Sequence, residues 1–258
     1  MDYIEVRRDG RGLAEIVLSR ADKHNALSAQ MMSELQGVAE ALAREPSVRV
    51  VVLSAAGASF CAGGDLAWMR EQFAMDRHTR RVESARIARA LGALYALPQP
   101  LLGKVQGNAF GGGLGLMAVC DQVIAAEGIR LGLTEVKLGL IPANIGPYVV
   151  HRMGARNAAE VFMNARLFDA GEALRLGLVN RVVPAAALDA AIEEEVARTL
   201  ACAPGAVRDA KALLRRLGGE VSAGDVEGAI DALADRWETD EARDGIAAFF
   251  DKRPAPWA

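Results

Sequence analysis

Three consecutive glycines, Gly111 to Gly113, separate an apolar run from an apolar helical segment and constrain this chain more than any other feature. The run Pro100–Val105 fits a buried strand, and Leu114–Val119 fits a buried helix. A turn at that junction leaves several backbone N–H groups without intrahelical partners, and the helix dipole favours negative charge there. Because glycine has no Cβ, a ligand can approach this backbone closely. The segment therefore predicts either an anion-binding turn or a tight packing turn.

A second turn of small residues, Ala55 to Asp65, also lies between a predicted strand and a predicted helix. It follows Val48–Ser54, a β-branched run typical of a strand buried on both faces, and it precedes a helical stretch that begins at Leu66. If the two strands are neighbours, one N–H from each turn can point at a common oxygen, which is the arrangement of an oxyanion hole. Neither turn has the Gly-Lys-Ser/Thr of a phosphate-binding loop, and contiguous glycines fit a dinucleotide-binding fingerprint poorly.

The order of the predicted elements indicates an α/β fold. A hairpin near the amino end is followed by strands that alternate with helices, and from residue 184 onward the pattern is helical only. Two separate helices are expected over 145–153 and 155–164. The amphipathic helix 76–97 carries arginines that we expect to face solvent, namely Arg77, Arg80, Arg81, Arg86 and Arg89. An apolar face on the terminal helices would favour an oligomer contact.

Composition narrows the functional class. The 258 residues include 52% hydrophobic residues, enough for one large domain. A net charge of −3 at pH 7 and a pI near 5.7 give no electrostatic basis for binding nucleic acid or an anionic membrane. No apolar run approaches the roughly 18 residues of a membrane-spanning helix, and the first residues do not resemble a signal peptide. Cys61, Cys120 and Cys202 lie among apolar neighbours, so we expect buried, reduced thiols in a cytoplasmic protein.

Carboxylates are the remaining candidates for acid–base chemistry. The chain has no Gly-x-Ser-x-Gly elbow and no metal-binding spacing of His, Cys or carboxylates. His24, His78 and His151 lie in polar or charged surroundings that favour surface positions. Glu135 interrupts an apolar stretch, where partial burial would raise its pKa and let it exchange protons near neutrality. The alternative is a solvent-facing Glu135 that pairs with Lys137.

The sequence resembles the crotonase (enoyl-CoA hydratase/isomerase) superfamily over nearly its whole length. The matching pieces keep the order and spacing of that family and are Lys23–Leu27, Phe60–Leu66, Gly107–Gly113, Cys120–Asp121, Glu135–Pro142 and Ala170–Val179. The resemblance implies an α/β spiral of ββα units over residues 1–195 that binds acyl-CoA. It also implies a C-terminal α-helical region over residues 196–258 that assembles the protein into trimers or dimers of trimers.

The resemblance assigns roles to individual positions of this chain. The backbone N–H groups of Gly64 and Gly112 would hold the thioester oxygen of the substrate, and Glu135 would be the acid–base residue. Two loops would lie along the coenzyme A moiety, and their expected binding residues are Lys23, Ala26, Ala62, Gly63, Asp65 and Leu66. Because coenzyme A is part of the substrate, the resemblance implies neither a separate cofactor nor a metal.

The helix after the glycines departs from the pattern of the common hydratases. Those enzymes carry two catalytic glutamates, and the position of the first is occupied here by Gly115. A glycine can neither activate water nor donate a proton, so Glu135 is left as the single acid–base residue. Single-glutamate members of the superfamily include enoyl-CoA isomerases, which move one proton between C2 and C4. A hydratase, an isomerase and a non-catalytic acyl-CoA-binding protein are therefore the alternatives.

A finer resemblance connects the chain with bacterial methylglutaconyl-CoA and isohexenylglutaconyl-CoA hydratases. It rests on Gly115 together with the segments Ala62–Met69 and Ile141–Val150. The substrates of those hydratases carry a second carboxylate and belong to leucine or acyclic terpenoid breakdown; fatty-acid breakdown is the other setting. We hypothesise that Gly115 leaves room for such a branched, charged acyl chain, whose carboxylate helps to position or activate water. The candidates for a contact with that carboxylate are Asn144, Tyr148 and Arg70.

Overall fold

Two β-sheets organise the computed structural model, which describes residues 1–258. The strands in chain order are β1 Ile4–Arg8, β2 Leu13–Leu18, β3 Val50–Ala55, β4 Ser59–Cys61, β5 Leu101–Val105, β6 Asn108–Phe110, β7 Gln122–Ala126, β8 Arg130–Gly132, β9 Phe168–Asp169 and β10 Arg181–Val183. The larger sheet has six strands in the order β1-β2-β3-β5-β7-β10. The smaller sheet has four strands in the order β4-β6-β8-β9.

Parallel pairing dominates both sheets. Only β1 with β2 and β8 with β9 are antiparallel, and the other neighbours run in the same direction. Five of the six residues of β3 are buried, as its β-branched run predicts for a strand covered on both faces. The chain alternates between the sheets, because β3, β5 and β7 lie in the larger one and are followed by β4, β6 and β8 in the smaller one.

Helices connect these pairs of strands. They are α1 Ala29–Ala43, α2 Leu66–Phe73, α3 Arg77–Tyr95, α4 Gly112–Ala118, α5 Gly146–Phe162, α6 Ala170–Arg175, α7 Leu188–Leu200, α8 Pro204–Gly218, α9 Ala223–Trp237 and α10 Asp240–Phe250. Helical segments thus follow β4, β6 and β8, which confirms the predicted spiral of ββα units. None of these helices combines the length and the hydropathy that crossing a bilayer requires.

Two of three local expectations are wrong. The segment 55–65, predicted as one turn, contains β4, because pairing with β6 supplies hydrogen bonds that the local sequence does not indicate. The two helices expected over 145–153 and 155–164 are confirmed, because the helical stretch α5 is interrupted at Gly154, whose φ of 74° and ψ of 148° are not helical. All three cysteines are free thiols, but Cys202 is exposed rather than buried.

The arginine face of α3 is only partly solvated, because Arg77 and Arg89 are exposed whereas α9 packs against part of this face. Arg77 pairs with Asp235, and Arg81 pairs with Glu227 and Asp231. These three acidic residues recur every four positions along α9, so they share one face of that helix. The complementary spacing of charges on α3 and α9 is therefore a sequence signal for this docking.

Arg80 departs furthest from the expected solvent exposure. It is 6% exposed, and its Nε donates a hydrogen bond to the backbone carbonyl of Gln72 at 3.0 Å. Its guanidinium also pairs with Glu238 at 2.5 Å. A buried guanidinium is tolerated here because backbone carbonyls and a carboxylate take its hydrogen bonds.

The helical region at the carboxyl end belongs partly to the core. The domain boundary expected at residue 195 falls inside α7, whose buried face packs on β3, β5 and β7 of the larger sheet. Beyond α7, helix α9 packs on α3, and α10 packs on the short 3₁₀ helix Glu135–Leu138. This region therefore folds back over its own chain, in addition to any role in assembly.

Helix α8 is anchored through one buried side chain. Lys211 is its only buried residue; its Nζ donates to the carbonyl oxygen of Gln99 at 2.7 Å and pairs with the carboxylate of Asp121. The apolar residues on the outer face of this helix, Leu213, Leu214 and Leu217, are exposed.

We expect Lys211→Ala to lower the free energy of unfolding by about 2 kcal/mol, between the values typical of exposed and buried ion pairs. The substitution leaves the Asp121 carboxylate without its cation and the Gln99 carbonyl without its donor. Arg216→Ala, on the exposed side of the same helix, is the matched control and should change stability by less than about 0.5 kcal/mol. Urea denaturation measures both variants, and equal effects would contradict the anchoring role of Lys211.

Candidate active site

The two glycine turns lie side by side at one edge of the smaller sheet. Because β4 and β6 pair in parallel, the segments that follow them leave the sheet at the same end. Gly63 and Gly111 have positive φ values of 93° and 47°. The turns also approach closely, because a Cβ built on Gly63 would lie only 3.2 Å from the carbonyl oxygen of Phe110. The glycines therefore permit both the backbone conformation and the contact between the turns.

Two backbone N–H groups from these turns meet at one cavity. The N–H of Gly64 donates no hydrogen bond within the protein. Gly112 is the first residue of α4, so its N–H has no acceptor within the helix. Both glycines line a cavity of about 120 Å³. The structure thus brings the two predicted oxyanion donors to the same place.

The loops expected to border coenzyme A are joined by backbone hydrogen bonds. The N–H of Ala62 donates to the carbonyl of His24 at 3.0 Å, and that of Leu27 donates to the carbonyl of Gly63 at 2.8 Å. The predicted binding positions Lys23, Ala62 and Leu66 are exposed, whereas Ala26 and Gly63 are buried. The two loops therefore form one surface that leads to the cavity at Gly64.

Asp65 lines the cavity, but its carboxylate is already engaged. Its Oδ1 caps α2 by accepting the N–H groups of Ala67 and Trp68 at 2.8 and 3.1 Å. Its Oδ2 pairs with Arg20 at 2.5 Å. Burial alone would raise the pKa of Asp65, but Arg20 and the helix N–H groups outweigh burial and hold that pKa below its usual value. The side chain therefore stabilises the turn, and we expect a ligand to make only packing contacts with Asp65.

Glu135 lies beside the glycine turns with an unpartnered carboxyl oxygen. Its Oε1 would be 2.9 Å from a Cβ on Gly111, and its Oε2 is buried without any hydrogen-bond partner. Burial raises the pKa of Glu135 to about 7, although hydrogen bonds from the backbone of Glu135 and Thr134 lower it in part. No ion pair joins Glu135 to Lys137, so the alternative of a solvent-facing pair is wrong.

The hypothesis that Gly115 leaves room for an acyl chain is wrong. Gly115 is buried in α4 and does not line the cavity. A Cβ built on it would overlap the side chain of Ile145, with Ile145 Cβ at 3.0 Å and Leu91 Cδ1 at 3.2 Å. Ile145 thus fills the space that a longer side chain at position 115 would need, and the surroundings of that position are apolar.

Of the three candidates for a contact with a substrate carboxylate, one lines the cavity. Asn144 does so, and its side chain makes no hydrogen bond within the protein. Tyr148 is buried against α3, where its hydroxyl lies 3.3 Å from a Cβ built on Gly92. The guanidinium of Arg70 lies 4.4 Å from the ring centre of Phe250. Neither Tyr148 nor Arg70 belongs to the cavity lining, so the structure brings neither of them to the site.

Much of the cavity wall comes from apolar residues that the sequence analysis did not name as binding residues. Apolar side chains from α2, α3, the segment before α5, and α9 enclose it, and the larger ones are Trp68, Met69, Ile87, Ile145, Leu233 and Trp237. The lining contains no Lys and no Arg. Helical periodicity could have marked Leu233 and Trp237 as buried, but nothing in the local sequence indicates that α9 folds over this site.

Other reactive side chains lie elsewhere. All three histidines are exposed, as expected, and none lines the cavity. The Nδ1 of His24 lies 3.1 Å from the hydroxyl of Ser59, and His151 packs against the ring of Tyr95. No three His, Cys, Asp or Glu side chains are grouped so that they could hold a metal ion. Glu135 is therefore the one group in the cavity with both an unpartnered carboxyl oxygen and a pKa near neutrality.

Comparison with known proteins finds relatives along the whole chain. A family model described as "Enoyl-CoA hydratase/isomerase" matches residues 8–258. A crotonyl-CoA hydratase of Syntrophomonas wolfei is 30% identical over 249 residues, covering 94% of this chain and 93% of that protein. The crystal structure of an enoyl-CoA hydratase from Shewanella pealeana is 38% identical with a TM-score of 0.80, covering 99% and 96% of the two chains. An enoyl-CoA hydratase structure from Mycobacterium avium has a TM-score of 0.87 at 29% identity, covering 99% of both chains.

We expect Gly115→Ala to destabilise the protein by about 1–3 kcal/mol, because the added methyl group would overlap Ile145. This overpacking outweighs the roughly 1 kcal/mol that alanine gains over glycine inside a helix. In an Ile145→Ala background the same substitution should lose most of its penalty, since the overlapping Cγ2 methyl group is gone while the Cβ of residue 145 remains. Denaturation of the four proteins in this cycle measures the coupling. An equal cost in both backgrounds would contradict the close packing.

The buried carboxyl of Glu135 should make stability depend on pH. Its pKa rises from 4.5 to about 7 on folding, so between those values the folded state binds more protons than the unfolded chain. Stability therefore falls as pH rises from 4.5 to about 7 and stays lower above that range. We expect Glu135→Gln to raise the free energy of unfolding at pH 8 by up to about 3 kcal/mol, with no comparable gain below pH 4.5.

Urea denaturation of wild type and Glu135→Gln at acid and alkaline pH measures this difference. Glu127→Gln, an exposed glutamate outside the cavity, is the matched control. A gain of the same size at both pH values would show that burial of the charge is not its cause. Loss of turnover in a variant that is more stable than wild type would separate a chemical role of Glu135 from a structural one.

Proposed function

Since this chain belongs to the enoyl-CoA hydratase/isomerase family, we propose that it adds water across the α,β double bond of an acyl-CoA thioester. The observation that carries this proposal is the meeting of Gly64, Gly112 and Glu135 at one cavity. Two hydrogen-bond donors and one proton-transfer group are what the addition of water to an enoyl thioester requires. The relatives that are named as hydratases support this choice of reaction.

The two glycine N–H groups would stabilise the charge that develops on the thioester oxygen. When the oxygen of water bonds to C3, the C2=C3 electron pair moves toward the carbonyl and produces an enolate. Donors already aimed at that oxygen need no reorganisation, and the loss of one such donor typically costs about 3–4 kcal/mol of transition-state stabilisation. The fixed turns at Gly64 and Gly112 provide this preorganisation, because α4 and the pairing of β4 with β6 hold them.

Glu135 would serve as base and then as acid. Its carboxylate takes one proton from the attacking water, and the resulting carboxylic acid delivers a proton to C2 of the enolate. The electron pair returns to form the C2–H bond, and the carboxylate is regenerated. One water molecule is added and no electrons are lost, so the step balances without a separate cofactor. A pKa of about 7 suits a group that must both accept and release a proton near neutrality.

The coenzyme A moiety would lie along the two joined loops outside the cavity. The exposed ammonium group of Lys23 can pair with a phosphate, and the exposed surface at Ala62 and Leu66 can contact the less polar parts. The hydrogen bonds from Leu27 to Gly63 and from Ala62 to His24 keep the loops close together, which would leave the thioester within reach of Gly64.

A double-bond isomerase is the second candidate. Isomerisation is favoured by the glycine at position 115, because Ile145 fills the space that a second carboxylate would occupy. Glu135 is then the only acid–base residue. Moving a proton between C4 and C2 of an enoyl-CoA needs only one acid–base group and the same oxyanion donors. A non-catalytic binding protein is disfavoured, since a buried carboxyl with a raised pKa destabilises the fold and contributes nothing to binding.

The acyl group that best fits the cavity is short and neutral. The cavity is about 120 Å³ in volume, its wall is largely apolar, and no Lys or Arg lines it. A 3-methylglutaconyl chain, which the finer sequence resemblance favours, would bring a second carboxylate that could meet only neutral donors, namely the amides of Asn144 and Gln72 and the hydroxyl of Ser84. Burial of a carboxylate without a cation is costly. We therefore propose a crotonyl-sized acyl group as the preferred substrate and 3-methylglutaconyl-CoA as its competitor.

The proposal includes assembly and cellular setting. Leu213, Leu214 and Leu217 are exposed on α8, which supports packing against other copies in a homotrimer or a dimer of trimers. The free thiols of all three cysteines support a reducing compartment such as the cytoplasm. A neutral short chain would place the reaction in fatty-acid breakdown, and a methylglutaconyl chain would place it in leucine breakdown.

A panel of three thioesters tests the proposal: crotonyl-CoA, 3-methylglutaconyl-CoA and a 3-enoyl-CoA. The ultraviolet absorbance of the conjugated enoyl thioester should fall with crotonyl-CoA, because hydration removes the conjugated double bond. We expect kcat/KM for crotonyl-CoA to exceed that for 3-methylglutaconyl-CoA by at least about tenfold, since the second charge has no cation in the cavity.

The controls separate the candidates. Glu135→Gln should lose about 100-fold or more in kcat, and Glu127→Gln should not. If the absorbance rises with the 3-enoyl-CoA and does not change with the other two thioesters, the activity is double-bond isomerisation and not hydration. A higher kcat/KM for 3-methylglutaconyl-CoA than for crotonyl-CoA would show that the dicarboxylic thioester is the preferred substrate. If the absorbance changes with none of the three thioesters, the protein is a non-catalytic acyl-CoA-binding protein.

A further inference from the structure

Asn144 holds a polar atom in the cavity for which the protein offers no partner. Its side chain is 8% exposed, and its Oδ1 is buried without a hydrogen bond. Six buried side-chain polar atoms of the chain lack a partner, and two of them belong to residues that line this cavity, namely Asn144 Oδ1 and Glu135 Oε2. Buried polar atoms are normally satisfied, so a cavity with two such atoms is suited to a polar ligand.

The backbone between these two residues is held by its own hydrogen bonds. The N–H of Leu140 donates to the carbonyl of Glu135 at 3.1 Å, and the N–H of Gly146 donates to that of Ala143 at 2.9 Å. Pro142 further restricts this segment, which leads from the 3₁₀ helix Glu135–Leu138 into α5. Glu135 and Asn144 are therefore placed at the same cavity by one short, rigid stretch of chain.

Both orphaned atoms are hydrogen-bond acceptors, which restricts the ligand that can satisfy them. A ligand that contacts both must donate two hydrogens, as a water molecule does. A substrate carboxylate has none to donate to them. The cavity of about 120 Å³ exceeds the roughly 10–15 Å³ that one water needs, and it supplies the two polar partners that an ordered water requires.

We propose that Asn144 and Glu135 together hold the attacking water, so that the Asn144 amide performs the orienting part of the task of a second glutamate. This inference rests on the proposed hydration and adds one catalytic contact to it. The surroundings of Gly115 are filled by Ile145 and Leu91, so the usual position of the other glutamate offers no polar group for this purpose. Asn144 lies at the other end of the segment that begins at Glu135, and its amide provides the polar group that position 115 lacks.

The division of labour follows from the chemistry of an amide. Asn144 Oδ1 accepts a hydrogen bond but does not accept a proton at neutral pH, so the proton that water loses passes to Glu135. The other hydrogen of the water stays on its oxygen and becomes the hydroxyl hydrogen of the 3-hydroxyacyl product. Asn144 therefore acts only in steps that involve water, whereas Glu135 and the two glycine N–H groups also act in enolate formation.

Two rates measured on the same variants separate these roles. The first is hydration of crotonyl-CoA. The second is exchange of the C2 hydrogens of butyryl-CoA for deuterium in D₂O, followed by mass spectrometry. Exchange needs the enolate and Glu135 but has no attacking water. The variants are Asn144→Ala and Asn144→Asp, with Gln36→Ala on α1 as a control outside the cavity.

We expect Asn144→Ala to lower kcat for hydration by about 100-fold while the C2 exchange rate stays within about threefold of wild type. Asn144→Asp keeps the acceptor oxygen and should recover hydration to within about tenfold of wild type. Its added charge next to Glu135 should shift the pH dependence of kcat toward higher pH, because a neighbouring negative charge disfavours the ionised carboxylate. Gln36→Ala should change neither rate.

Other results would overturn the inference. An equal fall of both rates in Asn144→Ala would show that Asn144 only supports the geometry of the site. Unchanged hydration would show that it has no role with water, and a rise of KM confined to 3-methylglutaconyl-CoA would assign it to a substrate carboxylate instead. If wild type exchanges the C2 hydrogens but hydrates no enoyl-CoA, the proposed function fails and this inference fails with it.

Discussion

The parallel pairing of β4 with β6 is the contact on which the candidate active site depends. Each strand has only three residues, yet their pairing places two glycine turns at one edge of the smaller sheet. Gly64 and Gly112 reach the same cavity only because this pairing exists. Glycine at position 63 permits the close approach of the turns, because a Cβ there would lie 3.2 Å from the carbonyl oxygen of Phe110. Strands this short are not stable alone, so the larger sheet and its core of 56 buried residues must hold them in register.

Glu135 shows how the rest of the fold supports a group that destabilises it. A buried carboxyl without a partner is retained because its segment is clamped on both sides. On one side lies the glycine turn at Gly111, and on the other lies α10, which packs on the 3₁₀ helix that begins at Glu135. A Cβ on Gly139 would overlap the backbone of Glu241, so glycine is needed for this close approach. The C-terminal helices thus contribute to the site of their own chain as well as to assembly.

Position 115 shows where reasoning from the sequence succeeds and where it stops. The absence of a second glutamate is visible in the sequence, and it leads to Glu135 as the one carboxyl of the cavity without an ion pair, since Asp65 is paired with Arg20. The space beside a glycine is not visible, because it depends on which distant side chain packs there. Ile145 fills the space beside Gly115, so the glycine leaves no room for a ligand. The same reasoning applies to α3, whose arginines meet acidic residues of α9 about 150 positions further along the chain.

Local patterns in the sequence determined the α/β class, most strand and helix positions, the two glycine turns and the candidate acid–base residue. They do so because hydrophobic periodicity, backbone freedom at glycine and side-chain chemistry are properties of short segments. Only the tertiary structure decided that both turns share a cavity, that Glu135 is buried there with a pKa of about 7, and that Asn144 rather than Tyr148 or Arg70 lines it. Burial and unsatisfied hydrogen bonds arise from contacts between distant segments, which no single stretch of sequence specifies.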